Sequence, residues 1–134
     1  MLTAALASTW ELTDDTEAGP IWTDTRDTEI GASIRAQGQW AEGECAFIRS
    51  VLRPGDSVID VGANIGYISR FCSRLVDWHG RVVAIEPEPR NLELLNLNVE
   101  CDHPAEVGAS GEGGGGVRLL SPRGGGHRVL HRAA

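Results

Sequence analysis

Ser57 to Ser69 reads SVIDVGANIGYIS, and it constrains the fold more than any other stretch. Val58, Ile59 and Val61 form a short apolar run that contains one carboxylate, Asp60. A run this short, bounded by turn residues, predicts a strand buried on both faces. Arg53-Pro54-Gly55-Asp56 just before it is a turn signal. Gly62 and Gly66 follow in a loop that must then become a helix. Ile65, Ile68, Cys72, Leu75 and Val76 recur at steps of three and four, and Gly80 marks a stop. The order is strand, glycine loop, helix. In an open parallel sheet the ligand crevice lies at the carboxyl end of such a strand. A glycine loop there lets a ligand come close to the backbone, because no Cβ stands in the way.

The pattern repeats once downstream. Arg81 to Ile85 (RVVAI) is a second uninterrupted apolar strand, with Glu86 at its tip. Pro87-Glu88-Pro89 closes it, and proline favours the opening of a helix. Arg90 to Glu100 continues as a helix, with Leu92, Leu95 and Val99 on one face and Leu94 broadening it. Upstream, Glu42 to Leu52 reads as a helix at the sheet edge. Its inward side chains are expected to be Ala46, Phe47 and Val51, joined by Ile48 and Leu52. Residues 21 to 35, rich in β-branched side chains, predict one or two short antiparallel strands. Gly38-Gln39-Trp40 is a turn, and Trp40 reads as a core or lid aromatic rather than a ligand-stacking one. The expected fold class is α/β, with a doubly wound parallel sheet.

Three segments are expected. Residues 1–20 form a poorly ordered lead-in with a short strand near Trp10 to Leu12, 21–100 form the main body, and 101–134 form a glycine-rich tail. Nine of the last 34 residues are glycine, and Val117 to Leu120 is the only strand candidate among them. The tail's apolar content is too low to predict a further strand–helix unit. Cys101, His103, His127 and His131 match no ordinary zinc spacing, so no metal site is assigned.

Charge narrows the function classes. The chain of 134 residues has a net charge of -7 and every basic side chain is arginine. An acidic body argues against a nucleic-acid partner. No apolar run is long enough to span a membrane. Cys45, Cys72 and Cys101 are widely spaced and read as buried thiols in a reducing compartment, hence a cytoplasmic setting. The pattern gives no signal for oligomeric state.

Asp60 and Glu86 frame the glycine loop. An acid at the second strand's end can accept hydrogen bonds from ribose hydroxyls, and its two oxygens can serve both hydroxyls of a vicinal diol. With Asp60, Gly62, Asn64 and Gly66 beside it, Glu86 points to a nucleoside ligand. Gly62-Ala63-Asn64-Ile65-Gly66 lacks the first glycine pair of the dinucleotide fingerprint. Asp60 also suits a cationic ligand better than a pyrophosphate. S-adenosylmethionine carries an ammonium and a sulfonium, so it is the expected cofactor.

These residues resemble the class I S-adenosylmethionine-dependent methyltransferases, and more narrowly the FkbM group. The likeness runs through Gly38-Gln39-Trp40, Pro54-Gly55-Asp56, the Asp60 to Tyr67 run DVGANIGY, the Ala84 to Pro89 run AIEPEP, Asn91, Leu95 and Asn98. It is good from about residue 25 to residue 100. It implies a Rossmann-like methyltransferase fold, here its N-terminal half. It implies that Asp60, Gly62, Asn64 and Gly66 line the methionine and ribose side, with Glu86 on the ribose. It implies methyl transfer to a hydroxyl of a small molecule or sugar. Beyond residue 100 the likeness thins, and the chain reads as a truncated or frame-disturbed member. The competing readings are a non-catalytic remnant that binds the nucleoside weakly or not at all, and a different nucleotide-binding oxidoreductase. No general base stands out, and His79 reads as a surface residue at a helix end.

Overall fold

In the computed structural model, residues 9–100, 106–110 and 129–132 are described. In chain order the elements are β1 (Trp10–Thr13), β2 (Ile21–Asp24), α1 (Ile30–Gln37), α2 (Glu42–Val51), β3 (Ser57–Val61), α3 (Tyr67–Val76), β4 (Arg81–Ile85), α4 (Pro89–Glu100), β5 (Glu106–Ser110) and β6 (Val129–Arg132). β1 and β2 pair as an antiparallel hairpin, Trp10 opposite Asp24. The other four strands make one parallel sheet in the order β5–β4–β3–β6. The chain therefore steps from β3 outward to β4 and β5, then reverses to the far side of β3. That reversal puts a topological switch point at the carboxyl end of β3, where open α/β sheets bind ligands.

The α/β class and the β3–loop–α3–β4–α4 order agree with the sequence reading. α3 and α4 touch each other, as two crossovers running the same way along a sheet must. Their shared face carries the core. Val58, Asp60, Val82 and Ala84 are buried under them, together with Ile68, Cys72, Val76 and Leu95. Among the described residues no helix is long and apolar enough to cross a membrane.

Several expectations are corrected. β3 and β4 are not buried on both faces. Ile59, Val83 and Ile85 are half-buried and Val61 is 39% exposed, so the strands alternate with period two. Residues 30–37 are helical rather than extended. Asp27 makes the difference, since its carboxylate accepts the Glu29 and Gly31 N–H groups at 2.9 Å each and so caps α1. The Arg35 guanidinium then ties α1 back to the Asp24 and Asp27 carbonyls, at 2.9 Å each.

α2 presents a different face from the one expected. Cys45, Ile48 and Leu52 turn inward, while Ala46 and Phe47 are exposed. Arg49 covers the ring of Phe71 at 5.0 Å, and this packs α2 on α3 from its charged side. Residues 106–110 and 129–132 form two further parallel strands that the glycine-rich composition did not suggest. Parallel pairing is a backbone ladder, and it does not need an apolar run to register against β4 or β3. The strand candidate at Val117 to Leu120 lies outside the described residues, as do Cys101, His103 and His127. Residues 9–20 contribute β1 and the fully buried Ala18.

Asn98 joins the layers. It is fully buried. Its Oδ1 accepts the Trp22 N–H at 2.7 Å. Its Nδ2 donates to the Trp22 carbonyl at 3.0 Å and to the Ile65 carbonyl at 2.8 Å. Hairpin, α4 and glycine loop therefore share one amide. Arg70, also buried, adds bonds from Nη1 to the Asn98 carbonyl at 2.6 Å and from Nε to the Ala18 carbonyl at 3.1 Å. Replacing Asn98 by leucine strands three backbone groups, the buried Ile65 carbonyl and the part-buried Trp22 N–H and carbonyl, and a buried group left unpaired costs about 1–3 kcal/mol. Asn98→Leu is expected to lose about 3 kcal/mol or more in urea unfolding, against less than about 0.5 kcal/mol for the exposed Glu93→Ala.

Candidate functional site

The loop between β3 and α3 is fixed by the end of β4. The Ile85 carbonyl accepts two N–H groups, from Gly62 at 2.8 Å and from Ala63 at 3.0 Å. One residue on, the Glu86 carboxylate divides its oxygens. Oε2 accepts the Asn64 N–H and Oε1 the Glu88 N–H, both at 2.8 Å. Glu86 is 6% exposed. Each oxygen still has acceptor capacity for a second donor, which is what a vicinal diol supplies.

The loop's sequence matches its backbone. Gly62 and Gly66 hold φ of +77° and +92°, values that glycine adopts without a Cβ penalty. A Cβ on Gly66 would also lie 2.6 Å from Leu95 Cδ1, so this glycine lets α4 approach the start of α3. Asn64 sits at φ +54°. Asparagine tolerates that region through a local bond, here from the Ile65 N–H to Asn64 Oδ1 at 2.8 Å.

Behind the loop, Asp60 is fully buried and its Oδ2 accepts the Ser69 hydroxyl at 2.8 Å. The five residues singled out from sequence thus occupy three positions. Gly62 and Asn64 line a small cavity of about 120 Å³ at the switch point, with Trp40, Tyr67 and Ile30 as its other walls. Glu86 supports the loop from the β4 side. Asp60 and Gly66 face the packed interior. Trp40, half-buried and packed against the core, is one wall of the cavity. Sequence reasoning gave no role to Tyr67 or Ser69, and only the Tyr67 position as the chain's single tyrosine offered a signal.

A larger cavity of about 410 Å³ lies on the other side of Ile65, between the hairpin and α4. Three of its four carboxylates already serve the fold. Asp27 caps α1, and Glu88 Oε2 accepts the Asn91 N–H at 2.8 Å. Arg26 bonds Asp24 and holds its carboxyl down at about 2. The smaller cavity is the better candidate because it lies at the carboxyl end of β3, on the glycine loop. Among the described residues no cluster of His, Cys, Asp and Glu could hold a metal ion.

Tyr67 is 2% exposed, and its hydroxyl has no hydrogen-bond partner among the described residues. Burial pushes the phenol up to about 12, against a smaller downward pull from the Trp40 backbone.

Residues 60–128, just over half of the chain, match the family model of the methyltransferase FkbM domain. A comparison with the curated proteins finds no match. Among solved structures the chain is similar to a protein-L-isoaspartate O-methyltransferase, at 19% identity and a TM-score of 0.42, over 80% of this chain and 30% of that one. It is also similar to a Pyrococcus horikoshii protein assigned as a transferase, at 19% identity and a TM-score of 0.49, over 74% of this chain and 35% of that one. The chain thus spans about a third of the length of each.

The buried phenol makes the alkaline limb of stability diagnostic. The chain has one tyrosine and no lysine. Unfolded, Tyr67 loses its proton near 10; folded, it holds it to about 12. Between these values the unfolded chain binds fewer protons, so stability falls as pH rises. Tyrosinate absorbance is expected to rise in the folded protein near pH 12, and unfolding free energy to decline from pH 10 upward. Tyr67→Phe should show a smaller decline. A tyrosinate midpoint near 10 in the folded protein would contradict the buried placement.

Proposed function

Because the chain belongs to the FkbM methyltransferase domain family, we propose that it binds S-adenosylmethionine on the glycine loop and serves methyl transfer to a hydroxyl of a small molecule or sugar. The observation that carries this reading is the position of Glu86. Its carboxylate stands at the tip of β4 and holds the Asn64 N–H of the loop that lines the switch-point cavity. A nucleoside there would meet an acceptor pair fixed in advance, with no loop to reorder.

The residues present fit such a cofactor. Gly62 and Asn64 line the cavity, where Gly62 has no Cβ to keep a ligand off the backbone, and Glu86 has acceptor capacity for the ribose diol. Bound there, the cofactor supplies an electrophilic methyl group on sulfur. The chain's own part is to place and orient, which in well-aligned reactions is worth roughly 7–11 kcal/mol. Proton removal from a hydroxyl acceptor needs a base, and His79 does not fill that role. It is exposed, in the turn that enters β4 at its amino end, across the sheet from the site. The buried thiols Cys45 and Cys72 and the acidic balance support a cytoplasmic setting, with neither nucleic acid nor membrane as partner.

Glu86 has two jobs in this account, and a ligand-side change separates them. Glu86→Ala releases the Asn64 N–H, which weakens every ligand on the loop alike. It also removes the ribose contact, which weakens only ligands that have the hydroxyls. Titration calorimetry is expected to show a loss of about 1.5–3 kcal/mol for S-adenosylhomocysteine, the scale of hydrogen bonds to a charged group. The loss should be clearly smaller for the 2′-deoxy analogue, and the difference is the pairwise term. Equal losses would remove the ribose assignment, and a wild-type chain that binds neither ligand would remove the cofactor reading.

A further inference from the structure

The cavity between the hairpin and α4 has no part in the cofactor reading. Its volume is about 410 Å³, and small-molecule sites run from about 300 to 1,000 Å³. Three elements give it apolar walls. Trp10 comes from β1, Ile65 from the glycine loop and Leu94 from α4. Trp10 is half-buried and packed against the core, so it is in place before any ligand arrives. Ile65 also lines the switch-point cavity. The two cavities therefore share one side chain. α4 begins just beyond the carboxyl end of β4, which brings its first turn to the same end of the sheet as the glycine loop.

The polar lining carries both signs. On the hairpin side, Asp24 and Arg26 neutralise each other through a two-point pairing, and Asp27 is spent on the α1 cap. On the other side Glu88 holds the Asn91 N–H. The side chains of Arg90, Asn91 and Glu93 are left, and among the described residues they make no hydrogen bond. They put a cation, a neutral amide and an anion within one turn of α4. A cationic ligand would meet Arg90 and an anionic one Glu93. A neutral hydroxyl suits all three, because it donates to the carboxylate and the amide oxygen and accepts from the guanidinium and the amide N–H. The walls ask for carbon on the same molecule. A pyranose ring has both, with hydroxyls around its edge and C–H bonds on its faces, and an indole offers such a face a flat apolar partner.

We propose that the cavity between the hairpin and α4 is a site for a neutral sugar ring, with Trp10 against one ring face and Arg90, Asn91 and Glu93 on its hydroxyls. Because Ile65 divides it from the switch-point cavity, a sugar here lies one side chain away from the place assigned to the methyl donor. The site therefore holds the acceptor. That role rests on the function proposed above, whereas the binding of the sugar does not.

The isotopically labelled full chain is titrated separately with the neutral methyl glycosides of glucose, galactose, mannose and fucose at millimolar concentration, with glucuronate and glucosamine, and with S-adenosylhomocysteine. At least one neutral glycoside is expected to give saturable shifts at the Trp10 indole N–H and at the amides of Arg90, Asn91 and Glu93. Glu93→Ala, a change at an exposed position, should weaken that glycoside about tenfold. Absence of saturable shifts with all four glycosides would overturn the proposal. So would tighter binding of glucuronate or glucosamine at these residues, or an unaltered affinity in Glu93→Ala. Ile65 should respond both to the glycoside and to S-adenosylhomocysteine, and an Ile65 amide that follows only one of them would overturn the acceptor role. If S-adenosylhomocysteine shifts the loop and no glycoside binds, this proposal falls and the cofactor reading stands. If a glycoside binds and S-adenosylhomocysteine does not, the cofactor reading falls and the sugar site stands without its acceptor role.

Discussion

The Glu86 carboxylate accepts the Asn64 N–H and the Glu88 N–H from two different segments, each at 2.8 Å. One oxygen sets the glycine loop and the other sets the turn into α4. A buried carboxylate is costly unless its lone pairs are used, so these two bonds are the condition for placing an acid there at all. The Ile85 carbonyl adds two further bonds to the same loop. The end of one strand therefore dictates the backbone beyond its neighbour. The cavity at the switch point is a consequence of that coupling.

The N-terminal elements complete the arrangement by reaching over the sheet. Asn98 fixes the hairpin and the loop to α4 at once, through Trp22 and Ile65. Arg70 brings in Ala18. Asp27 and Arg35 make α1 and fold it against β2. Asn98 and Arg70 are buried, Asp27 and Arg35 half-buried, and their bonds are local to this topology. They carry the hairpin and α1 to a place where Ile30 and Trp40 can wall the cavity. Ser69 does the same for Asp60 from the α3 side.

The parts legible in the sequence were those set by period and by glycine. Val58 to Val61, the Ile65 to Val76 stripe and Arg81 to Ile85 each follow one simple rule, and each element formed. Gly62 and Gly66 were recognisable because only glycine fits where they sit. α1 was not legible, because its start depends on the Asp27 cap rather than on an apolar stripe. The face of α2 differs from the expected one because Phe47 suggests burial, while the packing is made by Cys45, Ile48 and the guanidinium of Arg49 over Phe71. β5 and β6 escaped because backbone pairing alone defines them in a glycine-rich segment. In the site, spacing could name Asp60 and Glu86 as acids near the loop. It could not tell that Asp60 is turned to Ser69, and Glu86 to the N–H groups of Asn64 in the loop and Glu88 in the next turn.

The central claim is that a nucleoside methyl donor binds on the Gly62 to Tyr67 backbone at the switch point. Amide resonances report it residue by residue. Titrating the isotopically labelled chain with S-adenosylhomocysteine should shift the amides of Gly62 to Ile68 and of Glu86 to Glu88. Those of Glu11, Leu12 and Arg53 to Asp56 should stay in place. Shifts centred instead on Asp24, Arg26 and Glu93, around the larger cavity, would contradict the account, as would no shift anywhere.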